Sequence, residues 1–229
     1  MKALILAAGY GRRLGTLTKK TPKCLIKIKS RSLIDIWLDK LNNLGINEIY
    51  INIHYKKKKI ISHLKKSPHK NKIILLNENK LLGTGGTLKK NLNLFKNDSL
   101  LMLHADNYTE DNLKGFIEFY KNNKNSSDVF IFTFLTKDFS NSGMLKFNNK
   151  KILAEFKEKP FVYKGSYANG GIFIMNKNFL NNFKKERKIY DFSKDMLPRL
   201  IGKAKCYTTK FFFIDIGLKE KLKIARSRF

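Results

Sequence analysis

The stretch that most restricts the fold lies at the start of the chain. Ala3-Leu4-Ile5-Leu6-Ala7 is an unbroken apolar run that ends at glycine. A strand wet on one face alternates polar and apolar residues, whereas an unbroken run bounded by glycine is the pattern of a strand buried on both faces of a parallel sheet. Parallel strands need long crossover connections, usually helices, and the chain supplies one at once. Leu33, Ile34, Trp37, Leu38, Leu41 and Leu44 recur at helical spacing, with Ser32 placed to cap the helix and Gly45 to end it. Strand and helix patterns then alternate: strands over 48–53 and 73–76, a basic helix over about 56–65, and a strand over 100–103 that ends in His104-Ala105-Asp106. A helix over about 110–120 leads to a β-rich second half. There the strands are 129–135, a pair flanking the turn Asn148-Asn149-Lys150, a strand that begins at the pair Gly170-Gly171, and a last one over 211–214 that ends at Asp215. Alternation of this kind means right-handed βαβ units. The expected fold is therefore α/β, a Rossmann-like, mostly parallel mixed sheet with helices on both faces.

A length of 229 residues with 42% hydrophobic content suits one domain over 1–229 with a sizeable core. The net charge of +29, from 47 Lys and Arg against 18 Asp and Glu, points in general to nucleic acid, membrane surfaces or acidic small molecules. The excess is mostly lysine and is spread with many Asn, Ile and Phe, as in a compositional bias rather than a local binding patch. The run Lys56 to Lys59, placed on a helix, points in every direction and forms no stripe. Two cysteines, Cys24 and Cys206, are too few for a disulfide framework or a cysteine zinc site, and fit a reducing cytoplasm. The opening apolar run is too short for a signal peptide and is followed by Arg12, Arg13, Lys19 and Lys20. No stretch approaches the ~18 apolar residues of a membrane span. A soluble, unprocessed cytoplasmic protein without membrane insertion is expected.

In open α/β sheets ligands bind beyond the carboxyl ends of the strands, where the sequence places the loop from Gly9 to Arg13, Asp106 and Asp215. In Gly9-Tyr10-Gly11-Arg12-Arg13-Leu14 the glycines let the main chain turn and present N–H groups to an anion, while arginine and Lys23 add charge for phosphate oxygens. A bare Gly-x-Gly serves equally as a structural turn. This one lacks the Gly-Lys-Ser/Thr ending of a P-loop and the spacing of the dinucleotide fingerprint. An aspartate after a strand is commonly a cap or turn residue. Two facing one phosphate-binding loop suit Mg²⁺, which takes one or two carboxylates and completes its shell with phosphate and water. His54, His63, His69 and His104 have no metal spacing, and His104 is assigned to packing or backbone hydrogen bonding.

The string Leu6-Ala7-Ala8-Gly9-Tyr10-Gly11-Arg12-Arg13-Leu14, followed by Thr21-Pro22-Lys23-Cys24-Leu25, resembles the signature of the sugar-1-phosphate nucleotidyltransferases. The chain is similar to the short, mannose-1-phosphate guanylyltransferase-like members that have no C-terminal β-helix domain. The resemblance continues in Leu82-Gly83-Thr84-Gly85-Gly86-Thr87, Glu158-Lys159-Pro160, Asn169-Gly170-Gly171 and Asp215-Ile216-Gly217. It departs at Arg12, where Thr or Ser is usual, and at Leu218, where Thr is usual.

The resemblance implies a nucleotide site of Leu6, Ala8, Gly9, Gly11, Arg12, Arg13, Lys23, Glu78, Gly83, Thr84, Gly85 and Asp106, with Glu78 able to read a base edge. It implies a sugar-phosphate site of Asn107, Gly143, Glu158, Lys159, Asn169 and Gly170. Mg²⁺ would be the cofactor, on Asp106 and Asp215, and Arg13, Lys23, Asp106 and Lys159 the catalytic set. The N-terminal half would bind nucleotide and the C-terminal half sugar phosphate. The implied partners are an NTP and a sugar 1-phosphate, with no specific nucleic acid and with homo-oligomerisation left open. GTP and a mannose- or heptose-type phosphate are favoured. The alternatives are a UTP- or CTP-dependent transferase acting on another sugar phosphate or on phosphocholine, and a nucleic-acid-binding module.

Overall fold

The structure is a computed structural model that describes residues 1–228. Its contacts cluster into two compact units: residues 1–81, 103–112 and the chain from Phe212 onward form the first, and residues 82–102 and 113–211 the second.

In chain order the first unit begins with β1 (Lys2–Leu6), α1 (Thr16–Lys20), the two-residue strands β2 (Lys27–Ile28) and β3 (Arg31–Ser32), α2 (Leu33–Asn43), β4 (Ile49–Ile53), α3 (Lys57–Leu64) and β5 (Ile73–Asn77). After α4 (Thr84–Lys90) the chain returns along β6 (Leu100–His104) and β7 (Asn107–Thr109). The second unit holds α4 together with α5 (Lys114–Asn123), β8 (Val129–Leu135), β9 (Gly143–Phe147), β10 (Leu153–Glu158), β11 (Tyr167–Met175), α6 (Lys177–Phe183), α7 (Phe192–Met196) and β12 (Lys205–Thr208). The chain ends in the first unit with β13 (Phe213–Asp215) and α8 (Lys219–Ser227).

The sheet is mixed. In the first unit β1 and β4 pair in parallel with Leu6 opposite Asn52, and β4 and β5 pair in parallel with Asn52 opposite Leu76. Three carboxyl ends thus stop at one edge. Ala3, Leu4 and Ile5 are fully buried, as the apolar run requires, and the Leu4 and Ile5 side chains contribute roughly 1.5–3 kcal/mol each. α2 matches its sequence signals at both ends. Ser32 Oγ accepts the Asp35 N–H, and past the last turn Gly45 N–H donates to Asn42 O and Ile46 N–H to Leu41 O, with Gly45 at φ 74°. These are the two crossed bonds of a Schellman end, whose left-handed residue favours glycine.

In the second unit β8 pairs antiparallel with β11 and parallel with β12, and β9 pairs antiparallel with β10. The β9–β10 turn closes on Asn148, whose Oδ1 accepts the Lys150 and Ile152 N–H groups.

Three expectations need correction. The helix expected from about residue 110 begins at Lys114, because Asn107–Thr109 is β7, paired with β13, and Glu110 N–H donates to Phe212 O. The strand expected to begin at Gly170 begins at Tyr167 and carries the glycine pair inside it, where the register with β8 shifts and Gly171 takes φ 64°. β12 was not expected at all: Lys205–Thr208 lies beside the long strand β8.

Candidate functional site

In the first unit the loop leaves β1 at the sheet edge. Gly11 sits in the left-handed region at φ 67°, and a Cβ there would lie 2.8 Å from Thr18 Cγ2 and 3.3 Å from Lys23 Cβ. Gly9 differs: it is exposed, has no positive φ, and a Cβ on it would meet nothing within 4 Å. Gly11 is therefore explained by the fold, and Gly9 is not. Arg12 and Arg13 are exposed, with the Arg12 guanidinium 4.9 Å above the Tyr10 ring. Leu6 O accepts Ala105 N–H, which ties the loop's root to the end of β6.

Asp106 follows that tie. Its carbonyl accepts Ile216 N–H, and the next residue, Asn107, lies opposite Asp215 in the β7–β13 ribbon. The Trp37 indole of α2, buried at 1% exposure, donates to Asn107 O at 2.9 Å. Leu14, Ile26, Leu33, Tyr108, Ile214, Ile216 and Leu222 pack together beneath. Both aspartates are thus set by main-chain pairing rather than by loop chance. Their carboxylates converge on one cation: the Lys23 ammonium pairs with Asp106 and lies 3.6 Å from Asp215 Oδ1. Burial raises the cost of charging Asp106, but the Lys23 ammonium, with His104 adding to it, outweighs this and holds the carboxyl below the usual carboxylate range. His104 Nε2 is buried without a hydrogen-bond partner among the described residues, so for that nitrogen packing is the role observed.

The pair fits the metal expected of it. No group of three or more His, Cys, Asp or Glu side chains able to hold a metal occurs among the described residues. Two carboxylates already gathered around a positive charge are nonetheless what a cation needs if phosphate and water complete its shell. Gly217 belongs to this group, although within Asp215-Ile216-Gly217 the sequence points to a role for Asp215 alone. A Cβ there would lie 2.8 Å from Arg13 Nη2 and 3.1 Å from Asp215 Oδ2. The signal was present, since a glycine stands two residues after the acid, but only geometry shows what it leaves room for.

Two expected residues of this unit are enclosed. Glu78, expected to read a base edge, is 2% exposed and its Oε1 receives the Asn52 Nδ2–H at 2.9 Å. A carboxylate so enclosed and so engaged presents no edge to a base. Asn107, expected to touch sugar, is 4% exposed, and its main chain is used by β13 and Trp37.

The second unit holds two separate groups. In the β9–β10 hairpin Gly143 lies opposite Glu158, and a Cβ on Gly143 would lie 2.9 Å from Glu158 Oε2. The missing side chain makes room for that carboxylate. Lys159 turns out of the hairpin at φ 46°, with its ammonium 3.8 Å from Glu158 Oε1 and its N–H donating to Ser142 O. An ion pair this open to water adds little stability, so both groups are available for other work.

The other group is the start of α4. The glycines there are explained by packing: a Cβ on Gly83 would lie 2.3 Å from Tyr190 O, and one on Gly85 2.3 Å from Ile189 Cγ2. The Gly85 and Gly86 N–H groups donate to Tyr190 O, and Thr84 Oγ1 accepts Phe192 N–H. Asn169 is committed within β11, where Nδ2 donates to Ser193 Oγ and Oδ1 accepts Gly171 N–H; Gly170 is buried beside it. No helix among the described residues is long and apolar enough to cross a membrane.

Comparison with known proteins shows the family. The profile of the Nucleotidyl transferase family matches residues 2–226. A D-glycero-alpha-D-manno-heptose 1-phosphate guanylyltransferase of Campylobacter jejuni is 29% identical over 222 residues, covering 96% of each chain. A mannose-1-phosphate guanyltransferase of Aspergillus oryzae is 30% identical over 225 residues, which are 95% of this chain and 61% of that protein, so this chain spans about three-fifths of its length. Among solved structures, HddC of Yersinia pseudotuberculosis complexed with GMP-PN superposes with a TM-score of 0.82 at 27% identity, covering 99% of this chain and 98% of that one. With the family profile running almost from end to end over a sheet edge that carries the glycine loop and both aspartates, the chain belongs to the nucleotidyl transferase family.

Proposed function

We propose that the chain transfers a guanylyl group from GTP to the 1-phosphate of a heptose- or mannose-type sugar, forming a GDP-sugar and pyrophosphate with Mg²⁺ as cofactor. The observation that carries this reading is the gathering of Asp106 and Asp215 around the Lys23 ammonium, in the unit whose loop leaves open space where a Cβ on Gly9 would stand. The choice of GTP and of heptose or mannose follows the activities named for the relatives.

A sugar phosphate with a second pKa of about 6 is already mostly dianionic at neutral pH. Its oxygen can attack the α-phosphorus without a general base, forming the new P–O bond as the bond to pyrophosphate breaks. What remains is positioning and charge stabilisation. Asp106 and Asp215 would hold Mg²⁺, which when bound neutralises negative charge on the phosphates. Main-chain N–H groups around Gly9 and the exposed Arg13 guanidinium bind the triphosphate and the departing pyrophosphate. Lys23, whose ammonium lies beside both aspartates, would supply positive charge to phosphate oxygens. Lys159 meets the sugar phosphate, and Glu158, in the space that Gly143 leaves, accepts from sugar hydroxyls.

A matrix of GTP, ATP, UTP, CTP and dTTP against mannose, heptose and glucose 1-phosphates and phosphocholine, read by pyrophosphate release with and without Mg²⁺, tests the assignment. Release confined to GTP with mannose or heptose phosphate is expected. A preference for UTP or CTP, or for phosphocholine, would overturn it.

A further inference from the structure

The register of β1, β4 and β5 sets the residues just past β4 and β5 beside the loop that follows β1. Asn52 is a polar residue in a strand that is otherwise Ile and Tyr, and it is 4% exposed. Its Oδ1 accepts the Ala7 N–H at 2.7 Å, and its Nδ2 donates to Glu78 Oε1 at 2.9 Å. Ala7 lies past the last residue of β1 paired with β4, and its N–H, in a residue 8% exposed, needs a partner that the ladder does not supply.

The main chain of Glu78 continues the bracket. Its N–H donates to Ile53 O, and its carbonyl lies 3.0 Å from His54 Nδ1. A carbonyl can only accept, so Nδ1 carries a proton and donates it, which leaves Nε2 to face Tyr10. Tyr10 O–H points there at 3.3 Å, with its ring edge-on to the imidazole at 5.7 Å. The loop is therefore held at Ala7 by Asn52 and at Tyr10 by His54. Glu78 joins the two, through its side chain to one and its carbonyl to the other.

We propose that Asn52, His54 and Glu78 are positioning residues that hold Ala7 to Gly11 in its anion-binding shape before any ligand arrives, so that binding the triphosphate does not carry the cost of ordering the loop. Such preorganisation lowers the free energy that association must overcome. The inference rests on the reading that this loop holds the triphosphate of GTP. The three residues act through the loop and not on the ligand.

Tyr10→Phe removes the bond between Tyr10 and His54, and His54→Phe removes that bond together with the one to Glu78 O; each keeps an aromatic ring in place. In the full chain, each is expected to raise KM for GTP on the order of threefold to tenfold. Changes in kcat and in KM for the sugar phosphate should stay within about twofold, and the double variant should be no worse than His54→Phe, which already lacks the bond that Tyr10→Phe removes. A residue that served stability alone would lower the melting temperature and leave that split unmoved. Separately, amide exchange in the ligand-free protein should show the Ala7 N–H losing protection in Asn52→Ala, roughly tenfold or more, with α2 unchanged. KM for GTP unmoved in both single variants, or effects that add in the double, would overturn the proposal. Should the wild-type chain release pyrophosphate from no substrate pair, the assigned reaction fails. The bracket is then judged by exchange alone: faster Ala7 exchange supports it and unchanged exchange refutes it.

Discussion

Gly9 and Gly11 stand two residues apart in one loop, and the structure separates what each is for. At Gly11 φ is 67°, and a Cβ would lie 2.8 Å from Thr18 Cγ2. The left-handed backbone costs a non-glycine residue roughly 1–2 kcal/mol, and relieving the overlap adds about 1 kcal/mol more. Gly11→Ala should therefore destabilise by about 2–3 kcal/mol, a fall in Tm of roughly 4–12 °C for a chain of this size. At Gly9 the added methyl meets nothing within 4 Å, and its φ is not positive. Gly9→Ala loses only unfolded-chain entropy and should be neutral or stabilising by up to about 1 kcal/mol. If Gly9 is glycine so that phosphate can approach the main chain, the same methyl stands in the ligand's place. KM for GTP should then rise tenfold or more, a loss of at least about 1.4 kcal/mol. Differential scanning fluorimetry and initial rates of pyrophosphate release measure both effects on one preparation. A stable Gly9→Ala protein with KM for GTP within about twofold of wild type would refute the reasoning, because no use would then remain for glycine at that position.

Three further outcomes are expected. Asp106→Asn keeps the size of the side chain but removes the charge that Lys23 pairs with, so kcat should fall on the order of a hundredfold or more and more Mg²⁺ should be needed for half-maximal rate; turnover like wild type at equal Mg²⁺ would dismiss Asp106 as a metal ligand. Gly217→Ala puts a Cβ 2.8 Å from Arg13 Nη2; because Arg13 is exposed and can swing aside, Tm should shift by no more than about 3 °C, while kcat/KM falls on the order of tenfold as the guanidinium leaves its place. Cys24 and Cys206 are both buried, and burial pushes each thiol up to about 12. The thiolate is the reactive form, so a disulfide reagent at pH 8 should label neither cysteine until denaturant is added, and prompt labelling of the folded protein would contradict the burial.

The features legible in the sequence were those whose cause is local. Ala3 to Leu6 of the apolar run became part of a strand, with Ala3, Leu4 and Ile5 fully buried, because the pattern admits little else. α2 carried its own start in Ser32 and its own stop in Gly45, and the β9–β10 turn closed on Asn148 as its polar residues indicated. Asp106 and Asp215 could be placed at strand ends by counting, and the loop's resemblance to a known signature led to the right family.

What the sequence hid depends on partners far along the chain. Asn107–Thr109 reads as the approach to a helix until residues 213–215 return to pair with it. The glycines of α4 read as a ligand-binding segment until the Tyr190 carbonyl is found against them. Glu78 reads as a free acid until Asn52, from a neighbouring strand, closes on it. Local propensity and spacing by themselves indicated most of the elements, and the resemblance of the loop to a known signature indicated the family of this chain. Only the tertiary structure decided which glycines serve packing and which leave open space, and which polar groups are committed to one another, because both depend on the close approach of residues that no period in the sequence relates.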